Sequence, residues 1–374
     1  MKTAINKITL FIKKETVLFI AFLLALISSF LNPPNAEYAG FIDFHVLGIL
    51  LGLMLVMEGL KAIGVFEEIC RMLTGFTKNT MQLSFVLVLL CFFSSMFITN
   101  DVALVTFVPL AIMTLRQTGH EDKTVITVIL QTVAANLGSM LMPSGNPQNL
   151  YLFDLSGMTL GDFVLLMLPY TIVSFILISL FIILGKRLPV TTTKEKEKRF
   201  SKKYKIYAVI YALIFVSGIL TVCKLIPWFV FLAVSIIAAF IMNKSSFKAV
   251  DYSLLLTFIC FFIFIGNISS LSSVRQFLTD TVNGRETLIS IAASQLISNV
   301  PATLMLSGFT KRYSDLIVGV DLGGLGTLIA SMASLISYKA VAAAYPEKRK
   351  KYILIFTAVN IAFLVILYSI YLLL

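Results

Sequence analysis

The sequence predicts an all-α polytopic membrane protein made of two inverted repeats, and three observations carry that prediction. First, 58% of the 374 residues are hydrophobic and only 13% are charged, against about 25% charged in an ordinary soluble domain; the mean hydropathy is +0.95. So few charges cannot cover a water-soluble globule of this size, which excludes soluble enzymes and soluble binders, and the same composition excludes intrinsic disorder. Second, apolar runs of the roughly 17–25 residues that cross a bilayer recur near 16–32, 42–60, 124–142, 162–185, 206–223, 225–242, 252–268, 315–337 and 352–374. Third, two further apolar stretches, 82–115 and 286–310, are interrupted midway by polar residues, Ile98-Thr99-Asn100-Asp101 and Ile297-Ser298-Asn299-Val300-Pro301. Each reads as a broken span or as a re-entrant hairpin.

The elements follow in order. Lys2, Lys7, Lys13 and Lys14 precede the apolar Thr16–Leu31 with no small-x-small cleavage site after it, so residues 1–40 read as an uncleaved extra transmembrane helix. The first repeat, 41–185, opens at Asp43-Phe44, continues through an amphipathic stretch around 61–75 and the interrupted ITNDVA segment, and breaks again at Leu137-Gly138-Ser139. Residues 186–205 (KRLPVTTTKEKEKRFSKKYK) are a basic cytoplasmic linker, read as a solvated connector rather than a lipid-binding patch. The second repeat, 206–374, holds the same order: Asp251-Tyr252, an amphipathic stretch around 269–283, ISNVPA, and Leu325-Gly326-Thr327.

Charge orients these elements. With the N-terminus inside and both interrupted segments re-entrant, 25 of the 30 Lys and Arg residues fall on the inner side, as cytoplasmic loops require. This places the chain in the cytoplasmic (inner) membrane as a multi-pass protein, with the first repeat entered from outside and the second from inside. The formal charge of +11 then reflects cytoplasmic loops, and nucleic acid is not an expected partner. Four cysteines without a CxxC and two histidines imply no disulfide framework and no metal site.

Paired, interrupted hydrophobic segments in inverted repeats mark secondary transporters. Unwound backbone at the bilayer midplane leaves N–H and C=O groups unpaired, which is tolerable only where they line a polar cavity, and half-helix N-termini there present partial positive charge. The segment Ala134–Tyr151 (AANLGSMLMPSGNPQNLY) cannot run as one helix, because Pro143 and Pro147 lack a donor and Asn136, Asn146, Gln148 and Asn149 offer amides that want partners. An ordinary loop is the alternative; the matching break in the second repeat argues against it. Asp101 is a carboxylate at membrane depth, read either as a proton- or cation-binding group or as a helix N-cap. Glu58 is a second intramembrane acid, read equally as a structural ion pair with Lys61, and Asp321 is placed near a mouth of the cavity with its role open. The absence of GxSxG and HExxH motifs makes an enzyme the weakest reading.

GNPQN after LGSxLxPS, the TNDVAL hairpin and the SNVPA hairpin together resemble the ion-transporter superfamily, and within it the permeases with a citrate-transporter-like domain, related to divalent-anion:sodium symporters and arsenite permeases. The resemblance runs from about Asp43 to Leu374. It implies an elevator-type transporter in which a transport domain moves against a scaffold, each repeat supplying a re-entrant hairpin and a discontinuous helix. Carried over residue by residue, it implies a substrate site of Thr99, Asn100, Asp101, Ser144, Gly145, Asn146, Asn149, Ser298, Asn299 and Thr327. The implied coupling-ion site is Asn100, Asp101, Gly138, Asn146, Asn299 and Gly326. Sodium-coupled dicarboxylate members carry Ser-Asn-Thr at each tip; here Asp101 and Val300 follow the asparagines, and IASMAS (329–334) lacks the usual Pro-Ile-Gly. The expected function is secondary active transport of a small anion, a carboxylate or inorganic oxyanion, coupled to H+ or Na+ and needing no other cofactor. An arsenite- or antimonite-type efflux permease and a Na+/H+ antiporter are the alternatives. Membrane lipid and a small anionic or weakly acidic solute are the expected partners, and the resemblance implies a homodimer.

Overall fold

The computed structural model describes residues 15–35, 38–190, 202–269 and 271–374. Lys2, Lys7, Lys13, Lys14 and the linker residues 191–201 lie outside the described residues. Among the described residues the chain is helical throughout and has no strand; one isolated antiparallel bridge joins Asn79 and Pro189. Six helices are long and apolar enough to cross a membrane, and the chain is a polytopic membrane protein.

The helices run α1 Thr16–Leu31, α2 Tyr38–Phe41, α3 Phe44–Ile63, α4 Val65–Thr74, α5 Thr80–Ile98, α6 Asn100–Gln117, α7 Thr124–Ser139, α8 Pro147–Ser156 and α9 Leu160–Ile183. After the linker come α10 Lys202–Val222, α11 Trp228–Met242, α12 Ser246–Ala249, α13 Tyr252–Ser269, α14 Ser272–Val282, α15 Glu286–Ile297, α16 Asn299–Ser307, α17 Tyr313–Leu322, α18 Met332–Ala344 and α19 Arg349–Tyr371. From Asp43 and from Asp251 the element order is the same. A long helix is followed by a short amphipathic one, two helices joined at a single residue, a helix broken in two, and a last long helix.

Local chemistry explains the matched starts and turns. Asp43 and Asp251 each cap their helix, accepting from Val46 N and Leu254 N at 3.0 Å, which satisfies an otherwise orphaned N–H. The joints between α5 and α6 and between α15 and α16 are Thr99 (φ 64°, ψ 147°) and Ser298 (φ 74°, ψ 154°). With Lys224 they are the only non-glycine residues of positive φ among those described. Side-chain-bearing residues held there cost about 1–3 kcal/mol each and persist only where the surroundings over-determine them. The spans expected at 124–142 and 315–337, each with an internal break, are broken helices, split at 140–146 and 323–331. There the sequence supplies prolines in one case and the Gly323-Gly324-Leu325-Gly326 run in the other.

Broken helix α7/α8 lies at the centre. Nearly every residue of α7 is buried, and Gln131 ties both arms of the first hairpin to it, donating to Leu87 O at 3.1 Å and Phe107 O at 3.3 Å. Helices α9, α10, α11 and α19 form the rim and expose large apolar side chains such as Leu165, Leu213, Ile241 and Leu354, as a lipid-facing surface does. The apolar helix ahead of each matched start packs on the long helix that opens the other half: α1 lies along α13, and α11 along α3. Asn267 fixes the first of these contacts. It is fully buried, accepts from Asn32 Nδ2 at 3.2 Å, and donates to Ser28 Oγ at 3.1 Å and Tyr38 Oη at 2.9 Å.

Candidate functional site

The site is assembled where the hairpin tips meet the two helix breaks. At the first tip, Asn100 is buried; its Oδ1 accepts from Asp101 N at 3.0 Å and its Nδ2 donates to Asn136 Oδ1 at 3.1 Å. At the second tip, Asn299 repeats the first contact, accepting from Val300 N at 3.0 Å, and its own N–H donates to Ala330 O at 2.9 Å. Ser298 Oγ donates to the same carbonyl at 3.4 Å. Ser331 Oγ then donates to Asn136 Oδ1 at 3.3 Å. Both tips therefore converge on the Ala330-Ser331 corner of the second break.

The breaks themselves pair crosswise. Asn136 and Asp321 stand at the same interval before their second half-helices, Asn136 before Pro147 and Asp321 before Met332, and each is followed by Leu-Gly. Each touches the N-cap residue of the other break's second half-helix. Ser331 donates to Asn136, and Asn146 Nδ2 donates to Asp321 Oδ1 at 3.1 Å. The following glycines match as well. A Cβ on Gly138 would run into the Phe92 carbonyl and Ser95 Oγ of the first hairpin, and one on Gly323 would meet Ser294 Oγ of the second. The helix ends thus pair Leu137-Gly138 with Leu322-Gly323, a different register from the Leu325-Gly326-Thr327 pairing expected from the sequence.

Of the expected site residues, Asn100, Asn146, Asn149 and Asn299 are brought together through Asn136, Asp321 and Ala330. Gly145 and Ser144 are buried at the first break, with Gly145 pressed so closely on the Ser139 carbonyl that no Cβ fits. Asn146 also caps α8, accepting from Asn149 N at 2.8 Å. Gly326 (φ 108°) and Thr327 lie at the outer edge of the second break, and Thr327 is exposed. Gln295 pins that loop, donating to Gly323 O at 3.0 Å and Leu325 O at 2.9 Å and accepting from Thr327 N at 2.9 Å.

Three residues depart from their sequence reading. Asp101 is not the cap of α6, which begins one residue earlier with Thr99 as its N-cap; its Oδ1 is buried with no hydrogen-bond partner. Asp321 is not at a mouth but 3% exposed in the interior, held by Asn146 and Asn149. Gln295 carries no signal in the sequence, because a glutamine on an apolar helix gives none until its loop partner is known. The Glu58–Lys61 pair forms at 3.3 Å.

Electrostatics follow from the caps. Thr99 and Ser331 provide no side-chain cap to α6 and α18, and such termini attract anions. α16 keeps no free N–H in its first turn, because Asn299 N–H donates to Ala330 O, Val300 N to Asn299 Oδ1, and Pro301 has none. None of the Lys or Arg side chains among the described residues is buried. At one end of α3, Asp43, His45 and Asp154 cluster closely enough to hold a metal ion. Lys224 already supplies the cation there, donating to Asp154 Oδ1 at 3.1 Å.

A helical chain of membrane-length apolar helices wrapped around buried polar breaks defines a multi-pass membrane transporter. The chain belongs to the family described as citrate transporter, whose model matches residues 4–312. It is 30% identical over 334 residues to an uncharacterized transporter of Methanocaldococcus jannaschii, covering 87% of this chain and 90% of that protein. It is 30% identical over 309 residues to the inner membrane protein YbiR of Escherichia coli, covering 80% of each. An uncharacterized transporter of Mycobacterium tuberculosis is 23% identical over 334 residues, covering 79% of this chain and 78% of that protein. The family and the Methanocaldococcus and Mycobacterium relatives are named as transporters, not as enzymes.

Proposed function

We propose that the chain is a secondary active transporter of the cytoplasmic membrane, N-terminus inside, that moves a small anionic or weakly acidic solute between the two hairpin tips in exchange for, or together with, H+ or Na+. The observation that carries this reading is the convergence of Asn100 and Asn299 on Ala330-Ser331, beside the N-termini of α6 and α18, which lack a side-chain cap. Orphan N–H groups and positive helix ends bind a carboxylate or an inorganic oxyanion without a basic side chain. Asp101, with its unpartnered carboxylate oxygen, supplies the coupling-ion ligand next to that site.

The repeated element order and the crosswise pairing of the breaks support inverted repeats, and the split between a hairpin-and-break body and a rim of long helices supports elevator movement. A second reading, efflux of an arsenite-like neutral or weakly acidic species, is favoured by the lack of any buried Lys or Arg among the described residues. A homodimer through the rim helices is part of the same proposal.

Thermal melting of the purified protein against citrate, succinate, sulfate, phosphate, arsenite and antimonite, with and without sodium, tests it. A solute that binds the folded state alone raises the melting temperature by mass action. A shift with one of the charged anions supports the first reading, and a shift confined to arsenite or antimonite supports the second. In both, Asn100→Ala and Asn299→Ala abolish the shift while the proteins still insert and melt cooperatively. Shifts that survive both substitutions remove the hairpin tips from the site.

A further inference from the structure

We propose that Asp321 is a second coupling residue, whose carboxylate takes up a proton between the two broken helices and releases it when the contact with Asn146 and Asn149 opens. The proposal rests on the ion-coupled transporter reading but uses a residue outside the expected site. Among the described residues two acidic side chains are buried, Glu286 and Asp321. Glu286 has a cation, Arg312, at 3.7 Å and a hydroxyl donor, Thr310, at 3.0 Å. Asp321 has neutral amides only: Asn146 Nδ2 donates to Oδ1 at 3.1 Å and Asn149 Nδ2 to Oδ2 at 2.9 Å. An ionised carboxylate in an apolar interior without a counter-charge is expensive, and protonation is the ordinary escape.

No charged group offsets it from the surrounding helices. α7 and α16 carry none. On α8, Tyr151 shares a hydrogen bond with Ser307, and Asp154 is engaged by His45 and Lys224. On α15 and at the start of α17 itself, Glu286 and Asp315 share Arg312, near Tyr313. On α19, Tyr371 donates to Asp315, Tyr368 stacks on Tyr371, Tyr352 stacks on Phe356, and Arg349 donates to Ala342 O, with Lys350 and Lys351 exposed beside it.

A second observation marks where the proton goes. Asn149 Oδ1 is buried with no hydrogen-bond partner, a lone acceptor on the same amide that donates to Asp321. A protonated carboxyl donates its O–H to that oxygen while the amide N–H keeps its own bond, so acid and amide close a two-bond ring. Uptake adds one H+ to the carboxylate and breaks no covalent bond. A sodium ion fits less well, because hard cations need several oxygen ligands and the contacts made to Asp321 are N–H donations from Asn146 and Asn149, with Asn149 Oδ1 the one unpartnered oxygen on those two amides. The twin position in the first repeat is Asn136, a side chain that cannot titrate, so the proton site belongs to one half only.

Infrared difference spectroscopy of the purified full-length protein between alkaline and acidic buffer, without solute or sodium, tests this. A C=O stretching band of a neutral carboxyl shielded from water should appear on acidification in wild type and in Asp101→Asn. It should vanish in Asp321→Asn and return at a shifted frequency in Asp321→Glu, which keeps a carboxyl even if the amide variant folds poorly. A band unchanged in Asp321→Asn, or unchanged in frequency in Asp321→Glu, overturns the proposal. Because no solute is present, this result stands or falls apart from the Asn100 and Asn299 melting experiments.

Discussion

The two helix breaks perform the same structural task with different chemistry. In the first, Pro143 and Pro147 interrupt the helix, Asn146 caps the second half at 2.8 Å, and the polar residue ahead of the break is the neutral Asn136. In the second, there is no proline and no side-chain cap on α18, the loop Gly323–Ser331 is held from outside by Gln295, and the twin of Asn136 is Asp321. The first break is self-supporting. The second depends on a neighbouring helix and holds an ionisable group. The difference teaches that a shared backbone plan fixes where the polar groups sit, while the side chains decide which half holds a rigid cradle and which half holds the group that changes state.

That contrast can be broken most forcefully by equalising the twins. Asn136→Asp places a second carboxylate beside Ser331 and Asn100 and removes the amide that donates to Gly324 O at 3.4 Å. Disrupting a buried polar network in this way costs about 3–5 kcal/mol, and the variant should show a large fall in melting temperature at neutral pH that acid partly restores. Asp321→Asn, by contrast, should melt within a few degrees of wild type. Next in size is Gly138→Ala, whose methyl meets the Phe92 carbonyl, a backbone atom that cannot turn aside. Overpacking there should cost about 1–3 kcal/mol, more than Gly323→Ala, whose methyl would meet its nearest backbone atom, the Gly319 carbonyl, at 2.9 Å, a wider approach than that of Gly138 to the Phe92 carbonyl, and paired melting curves will rank the two.

Gln295→Ala sharpens the comparison from the other side. It removes bonds to Gly323 O, Leu325 O and Thr327 N, and buried partners left without a mate cost about 1–3 kcal/mol. Hydrogen exchange should accelerate in 323–331 and leave 140–146 unchanged; equal acceleration in both breaks would mean that the first is not self-supporting. Lys61→Ala, which removes the partly exposed partner of Glu58, should shift stability by under about 1 kcal/mol.

Much of this was legible in the sequence. Apolar runs gave the long helices, Asp43 and Asp251 marked the matched starts, and the polar tips at Thr99-Asn100 and Ser298-Asn299 fell at the helix joints. What could not be read was register and depth. Leu325-Gly326-Thr327 looks more like Leu137-Gly138-Ser139 than Leu322-Gly323 does, yet the helix ends and the glycine contacts choose the latter. Asp321 sits in a run rich in glycine, VGVDLGG, that reads as a loop near water; its burial comes from Asn146 and Asn149, more than 170 residues away in the chain. Gln295 and Ser331 became visible only once the loop they hold or border was in place.

The contact between α1 and α13 has a consequence for how the protein is made. Asn32 and Asn267, which join across it, are 235 residues apart. At roughly 5–20 residues per second, the ribosome delivers the second partner some tens of seconds after the first. Throughout that interval the first helix lacks its mate, and a chain that ends before Asn267 never acquires it. The buried asparagine therefore acts as a completion signal, since the amino end is locked only when most of the polypeptide has been synthesised.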